Sequence, residues 1–177
     1  KTLNTVLQSE KEIFADVDHF FKDRYQDIER FITNYPIKEV KTVVDPNWIE
    51  DFKKWLGQKD WGLSFVGALK DNIAKTFTKG KRRTYWGVGA QFNQGSERAL
   101  GFVTTRGLKL KGAPKVVQDS IITMLGSKAY TVDEMAAEIA TKWKEATLAR
   151  AKLISITEST AAFNGGRVEG MKELHIK

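Results

Sequence analysis

Ile13-Phe-Ala-Asp-Val-Asp-His-Phe-Phe-Lys-Asp-Arg-Tyr-Gln-Asp-Ile-Glu-Arg-Phe-Ile32 decides the fold class. Its apolar residues Ile13, Phe14, Val17, Phe20, Phe21, Tyr25, Ile28, Phe31 and Ile32 recur in steps of three and four, the period of one helical face. Charged residues fill the other face, so the spacing predicts an amphipathic helix from Thr5 to Tyr35. Pro36 ends it by removing a backbone donor and disfavouring helix at Tyr35. A helix of about 30 residues is roughly 45 Å long, which suits an arm that docks on another subunit. The docking stripe would be Phe14, Val17, Phe20, Phe21, Tyr25 and Ile28. The competing reading is a bundle helix with one solvated face.

Outward from this helix, Glu39 to Val44 is too short to assign, although Val40, Val43 and Val44 are strand-prone. Asp45-Pro46 reads as an N-cap followed by a first-turn proline, opening a helix through Trp48, Ile49, Phe52, Trp55 and Leu56 that Gly57 ends or bends. Trp61, Leu63 and Phe65 alternate like a short strand, whereas Phe65, Leu69, Ile73 and Phe77 step by four like a helix running into Lys79; helix is preferred for the later part. Trp48, Trp55 and Trp61 are expected to form a packing cluster rather than a ligand platform. In Ser96 to Gly112, Ala99-Leu-Gly-Phe-Val suits a helix and Leu108-Lys-Leu-Lys an exposed strand; helix is again preferred. Pro114 starts a short helix through Val117, Ile121, Ile122 and Leu125, stopped by Gly126. Thr131 and Glu134 form a capping box that opens a helix to about Glu145, and a last helix follows. The expected fold is mainly α, an extended multi-helix architecture with a long N-terminal amphipathic helix, a C-terminal helical domain and room for a minor β-hairpin. The expected division is 1–44, the long helix and its connector, and 45–177, the helical domain.

The chain's 177 residues, 41% hydrophobic and 11% aromatic, can build a folded core. It contains no Cys, which excludes disulfides and thiolate metal sites, and only His19 and His175 for imidazole ligation. No metal or cofactor is expected. No apolar run approaches the roughly 20 residues that span a bilayer, so no membrane partner is expected. Starting at Lys1 without Met and ending at Leu174-His-Ile-Lys, the sequence is expected to be a piece of a longer polypeptide.

The net charge of +7 is concentrated. Between Thr76 and Lys115 lie nine basic residues against Glu97 alone, enough to attract phosphates or an acidic protein surface. Within that window Lys79-Gly-Lys-Arg-Arg-Thr-Tyr-Trp sets four cations, Lys79, Lys81, Arg82 and Arg83, before Tyr85 and Trp86. Such a block can neutralise phosphates and stack on bases, dock on an acidic portal or capsid surface, or simply form a solvated loop.

Enzymatic fingerprints fail on missing parts. Gly87-Val-Gly-Ala-Gln-Phe has neither the glycine spacing nor the Lys-Ser/Thr of a phosphate loop. His19 lies on a helix face and His175 at the chain's end, so neither is a convincing base for a nucleophile. Asp16 with Asp18 and Asp133 with Glu134 fall on helix surfaces or caps. No enzyme activity and no catalytic residue is expected.

The remaining motif is Arg150-Ala-Lys-Leu-Ile-Ser-Ile-Thr-Glu-Ser-Thr-Ala-Ala-Phe-Asn-Gly-Gly166. Arg150, Ile154, Thr157, Glu158, Ala162, Asn164 and Gly166 fall in step with a pattern of Arg, three residues, Ile-x-x-Thr-Glu, then Ala and Asn-x-Gly. This resembles the signature of the phage head-morphogenesis family typified by protein F of phage Mu, whose members are minor capsid proteins. A looser likeness extends upstream through Thr131-Val-Asp-Glu-Met-Ala-Ala-Glu-Ile-Ala. Many members continue into a segment that can carry Cys-x-x-Cys, which has no counterpart before Lys177. The resemblance implies a structural virion protein inside the phage head, passing through the host cytoplasm during assembly, associated with the portal and capsid interior within a multi-subunit assembly, and in contact with packaged DNA. It leaves open a portal protein carrying this domain at its C-terminus, or a sequence-independent DNA-binding helical module.

In a helix Arg150, Leu153 or Ile154, Thr157, Ala161 and Asn164 lie near one face, with Glu158 beside the apolar stripe. A carboxylate so placed must be paired if buried. Glu158 is expected to accept from Arg150 or from a basic residue of another helix, locking helix packing or contacting a subunit.

Overall fold

The computed structural model describes residues 2–34, 44–92 and 97–176. These form six helices: α1 (Thr2–Thr33), α2 (Pro46–Gln58), α3 (Gly62–Gly87), α4 (Glu97–Leu110), α5 (Ala113–Leu125) and α6 (Val132–Glu173). The fold is mainly α. No strand or hairpin occurs among the described residues, and Leu108-Lys-Leu belongs to α4. Val40 and Val43 lie outside the described residues; Val44 donates its backbone N–H to the Tyr130 carbonyl at 2.7 Å.

Helix starts follow local chemistry. The Asp45 carboxylate accepts from the Asn47 N–H at 2.8 Å, and Pro46 occupies the first turn of α2. At α6 the Thr131 hydroxyl accepts from the Glu134 N–H at 3.3 Å while the Glu134 carboxylate accepts from the Thr131 N–H at 2.9 Å. The expected break near Glu145 does not occur. No Gly or Pro interrupts residues 132–164, and α6 continues as one helix of 42 residues, about 63 Å long.

Helices α3 and α6 form the most extensive contact, and α1 packs along both. The apolar stripe of α1 that was expected to dock on another subunit therefore lies inside this fold: Val17, Phe20, Phe21 and Ile28 are buried, and Phe14 and Tyr25 pack partly buried against them. Burial of each such side chain contributes on the order of 1.5–3 kcal/mol, which holds residues 2–33 onto the segments within 45–177. Phe20 meets Phe65 edge-on at 4.9 Å between ring centres, and Phe21 meets Trp143 at 5.9 Å. The expected tryptophan cluster divides. Trp48 and Trp55 pack with Phe31 and Phe52, whereas Trp61 turns to the edge of Trp143.

Candidate functional site

The α3–α6 crossing depends on glycine. A Cβ at Gly166 would run into the Phe77 carbonyl, and one at Gly80 into the Phe163 carbonyl, so each helix offers a glycine to the other's backbone. A turn further on, a Cβ at Gly170 would lie 3.2 Å from the Lys81 carbonyl and 3.0 Å from Thr84 Cβ. Thr84 Oγ1 adds a hydrogen bond to the Arg167 carbonyl at 3.2 Å. Gly165 faces the Phe102 ring of α4, where a Cβ would come within 2.8 Å of a ring carbon.

The motif on α6 splits between two faces. Ile154, Glu158, Ala162 and Gly166, at four-residue steps, are buried. Thr157 and Asn164 are exposed, and half-buried Arg150 lines a small groove with Val116 and Val117 of α5. The buried side thus follows Glu158 rather than Thr157. Arg106 of α4, not Arg150, meets Glu158: its Nε donates to Oε2 at 2.8 Å and its Nη2 to Oε1. The hydrogen bonds that Arg106 donates to the Glu158 carboxylate raise the guanidinium's pKa further above its already high value. A two-pronged guanidinium–carboxylate pair fixes orientation as well as charge.

Glu173, near the end of α6, is a second junction. It accepts from Tyr85 Oη at 2.6 Å, pairs with Lys81 Nζ at 2.8 Å and receives Arg98 Nη1 of α4 at 3.3 Å. Arg98 also pairs with Glu169. Burial pushes the Glu173 carboxyl up, but these donors and the Lys81 and Arg98 charges hold it below the ordinary carboxylate value. The hydrogen bond to Glu173, with burial, raises the Tyr85 phenol. Arg106, Arg98, Glu169 and Glu173 were not singled out in the sequence, because their partners lie dozens of residues away.

The basic block is the last turns of α3, not a loop. Lys81 is buried at 4% exposure on its Glu173 partner, and Lys79 reaches Glu12 of α1 at 3.3 Å. Arg82 lies over the rings of Trp86 and Phe92, at 5.8 and 5.4 Å. Arg83 and Trp86 are exposed. Lys79, Arg82, Arg83 and Trp86 share a helix face at i, i+3, i+4 and i+7, while Lys81 points inward. The face borders a groove of about 460 Å³ that Thr2, Asn4 and Thr5 of α1 also line. The four cations therefore do not act as one surface.

No group of three or more acidic or histidine residues that could hold a metal ion occurs among the described residues, and none of their helices is long and apolar enough to cross a membrane. No family model, curated protein or solved structure matches this chain.

Proposed function

We propose that the chain is a non-enzymatic structural protein of tailed-phage head assembly, a minor capsid or head-morphogenesis component that associates with the portal inside the head. The motif from Arg150 to Gly166 resembles that of the Mu protein F family, and one observation carries the structural reading of it. Both oxygens of Glu158, the acidic half of the Thr-Glu pair, are engaged by Arg106 in a pair that joins α6 to α4. A carboxylate so engaged serves architecture rather than proton transfer. The glycine end of the motif supports the same reading through its close contact with α3. Thr157 and Asn164 remain outward, free to meet another component of the assembly.

The test is co-expression of the chain with portal protein and scaffold from the same genome. The chain should copurify with portal rings and appear in purified heads, and heads complete without it, with no portal association, would refute the reading. A sequence-independent DNA-binding module is the second reading, favoured by the face on which exposed Arg83 and Trp86 flank half-buried Arg82. Salt-sensitive duplex binding without any portal association would select it.

A further inference from the structure

We propose that the groove between the first turns of α1 and the last turns of α3 binds a segment of single-stranded nucleic acid, with one base stacked on Trp86 and the adjoining phosphates held by Arg82 and Arg83. The site rests on the nucleic-acid reading of the α3 face and narrows its ligand. Charge selects an anion. The lining of this groove of about 460 Å³ includes Asn4, Lys79, Arg82, Arg83 and Trp86, with Phe163 of α6, and no carboxylate. The stretches that wall it, 2–9 of α1, 72–87 of α3 and 159–168 of α6, contain no acidic residue at all. Lys79 is held by Glu12 at 3.3 Å, but among the described residues Arg82 and Arg83 pair with no carboxylate. The groove between α5 and α6, by contrast, carries Asp119, Glu138 and Glu145, and the one between α3 and α4 carries Asp71.

Trp86 decides the form of the anion. Its indole is 63% exposed, whereas Trp61 and Trp143 are buried. The Arg82 guanidinium lies over the ring at 5.8 Å, and the rest of the ring is open to a flat partner. A duplex keeps its base faces in its own stack and offers only edges and phosphates, so it has nothing to lay on an indole; an unpaired base does. The volume agrees, since small-ligand sites span about 300–1,000 Å³, room for a nucleotide and not for a duplex. The exposed Asn4 carboxamide both donates and accepts, as the edge of a base requires. A strand also needs cations beyond one nucleotide. Exposed Arg167 follows Phe163 by one turn of α6, and the bond from Thr84 Oγ1 to the Arg167 carbonyl at 3.2 Å sets this part of α6 beside Arg83. An acidic peptide would satisfy the arginines but leave the indole without a partner.

Fluorescence anisotropy on the whole chain at low salt, with labelled oligothymidylate and a labelled duplex of equal phosphate number, tests the site. The single strand should bind about tenfold more tightly or better. Trp86→Ala should cost it about tenfold, with duplex binding little changed and the melting temperature unmoved, because the ring is mostly exposed. Asn4→Phe, also at an exposed position, puts a ring where the base would lie; it should displace the single strand and leave the duplex bound through Arg82 and Arg83. A duplex bound as tightly as the single strand, or a single strand indifferent to Trp86→Ala and Asn4→Phe, overturns the groove site and leaves the nucleic-acid reading of the face standing. Binding of neither ligand removes both. Release of the oligothymidylate by thymidine monophosphate at equal concentration would make the ligand a free nucleotide, and equal affinity for an oligoglutamate of the same charge would make it an acidic peptide; either outcome overturns the strand as occupant.

Discussion

Arg106 on α4 grips both carboxylate oxygens of Glu158 on α6, Nε to Oε2 at 2.8 Å and Nη2 to Oε1, across 52 positions of sequence. The two side chains retain only 19% and 4% exposure, so removing one leaves the other charged and poorly solvated. Glu158→Ala should lower stability by about 3 kcal/mol in denaturant titration. Arg106→Met combined with Glu158→Leu should stay within about 1 kcal/mol of the parent, since no unpaired charge remains. A double variant as unstable as Glu158→Ala would assign the loss to side-chain shape instead.

Glycine substitutions should sort by what surrounds them rather than by helix propensity. Gly166→Ala and Gly80→Ala drive a Cβ into the backbone of the opposing helix, where little can yield, and each should cost about 2–3 kcal/mol or more. Gly67 lies within α3 with nothing within 4 Å of an added Cβ, so Gly67→Ala should stabilise by about 0.5–1 kcal/mol. Thermal unfolding of the three variants side by side decides it; equal shifts would mean that the α3–α6 contact is looser than its geometry implies.

That contrast shows where the sequence was readable. The helices were, because three- and four-residue apolar steps and the caps at Asp45 and Thr131 are local signals. What each face meets was not. The stripe from Phe14 to Ile28 announces a buried face on α1, but nothing local separates burial against α3 and α6 from burial against another subunit. Gly80, Gly165 and Gly166 have low helix propensity, yet they remain helical: Gly80 and Gly166 admit close backbone approach between α3 and α6, and Gly165 makes room for the Phe102 ring of α4. Lys81 looked open because its partner, Glu173, lies on the last helix. The need of Glu158 for a guanidinium followed from its position beside the apolar stripe, but the choice of Arg106 over Arg150 is a matter of how α4 crosses α6.

Glu173 should make the fold acid-sensitive. Its folded pKa is depressed, so the stability it contributes is present above the unfolded carboxylate value of about 4.3 and is lost as pH falls through the folded value. Glu12 acts in the same direction: burial raises its pKa, but hydrogen bonds from Gln8 and Lys79 more than offset that. Asp16 opposes them, because burial raises its pKa despite a hydrogen bond from Asn72. The denaturation midpoint should therefore fall below about pH 4.5, and Glu173→Gln should flatten that fall while lowering stability at pH 7, where buried Lys81 loses its charge partner. An identical acid limb in parent and Glu173→Gln would remove this junction from the account.

Nucleic-acid contact, if the α3 face makes it, should be narrower than the run of four cations suggests and indifferent to base sequence. Lys81 is committed to Glu173 and Lys79 to Glu12, which leaves Arg82 and Arg83 as the cations open to phosphate. Releasing counterions from about two duplex phosphates gives a log–log salt slope of about −2, against about −3 to −4 for all four residues acting together. Arg82→Gln with Arg83→Gln should abolish that slope and weaken binding to every duplex alike, since phosphate contacts carry no sequence information. Trp86→Ala should weaken single-stranded binding more than duplex binding, because the exposed indole offers a stacking surface. Lys81→Gln is the discriminating control. It should leave the slope unchanged and lower the melting temperature, as expected of a buried cation that ties α3 to α6. If Lys81→Gln flattens the slope as much as the arginine pair does, the block binds as a single cationic surface. If the parent fails to bind DNA even at low salt, Arg82, Arg83 and Trp86 serve an acidic protein surface instead, and the portal becomes the partner to test at this face.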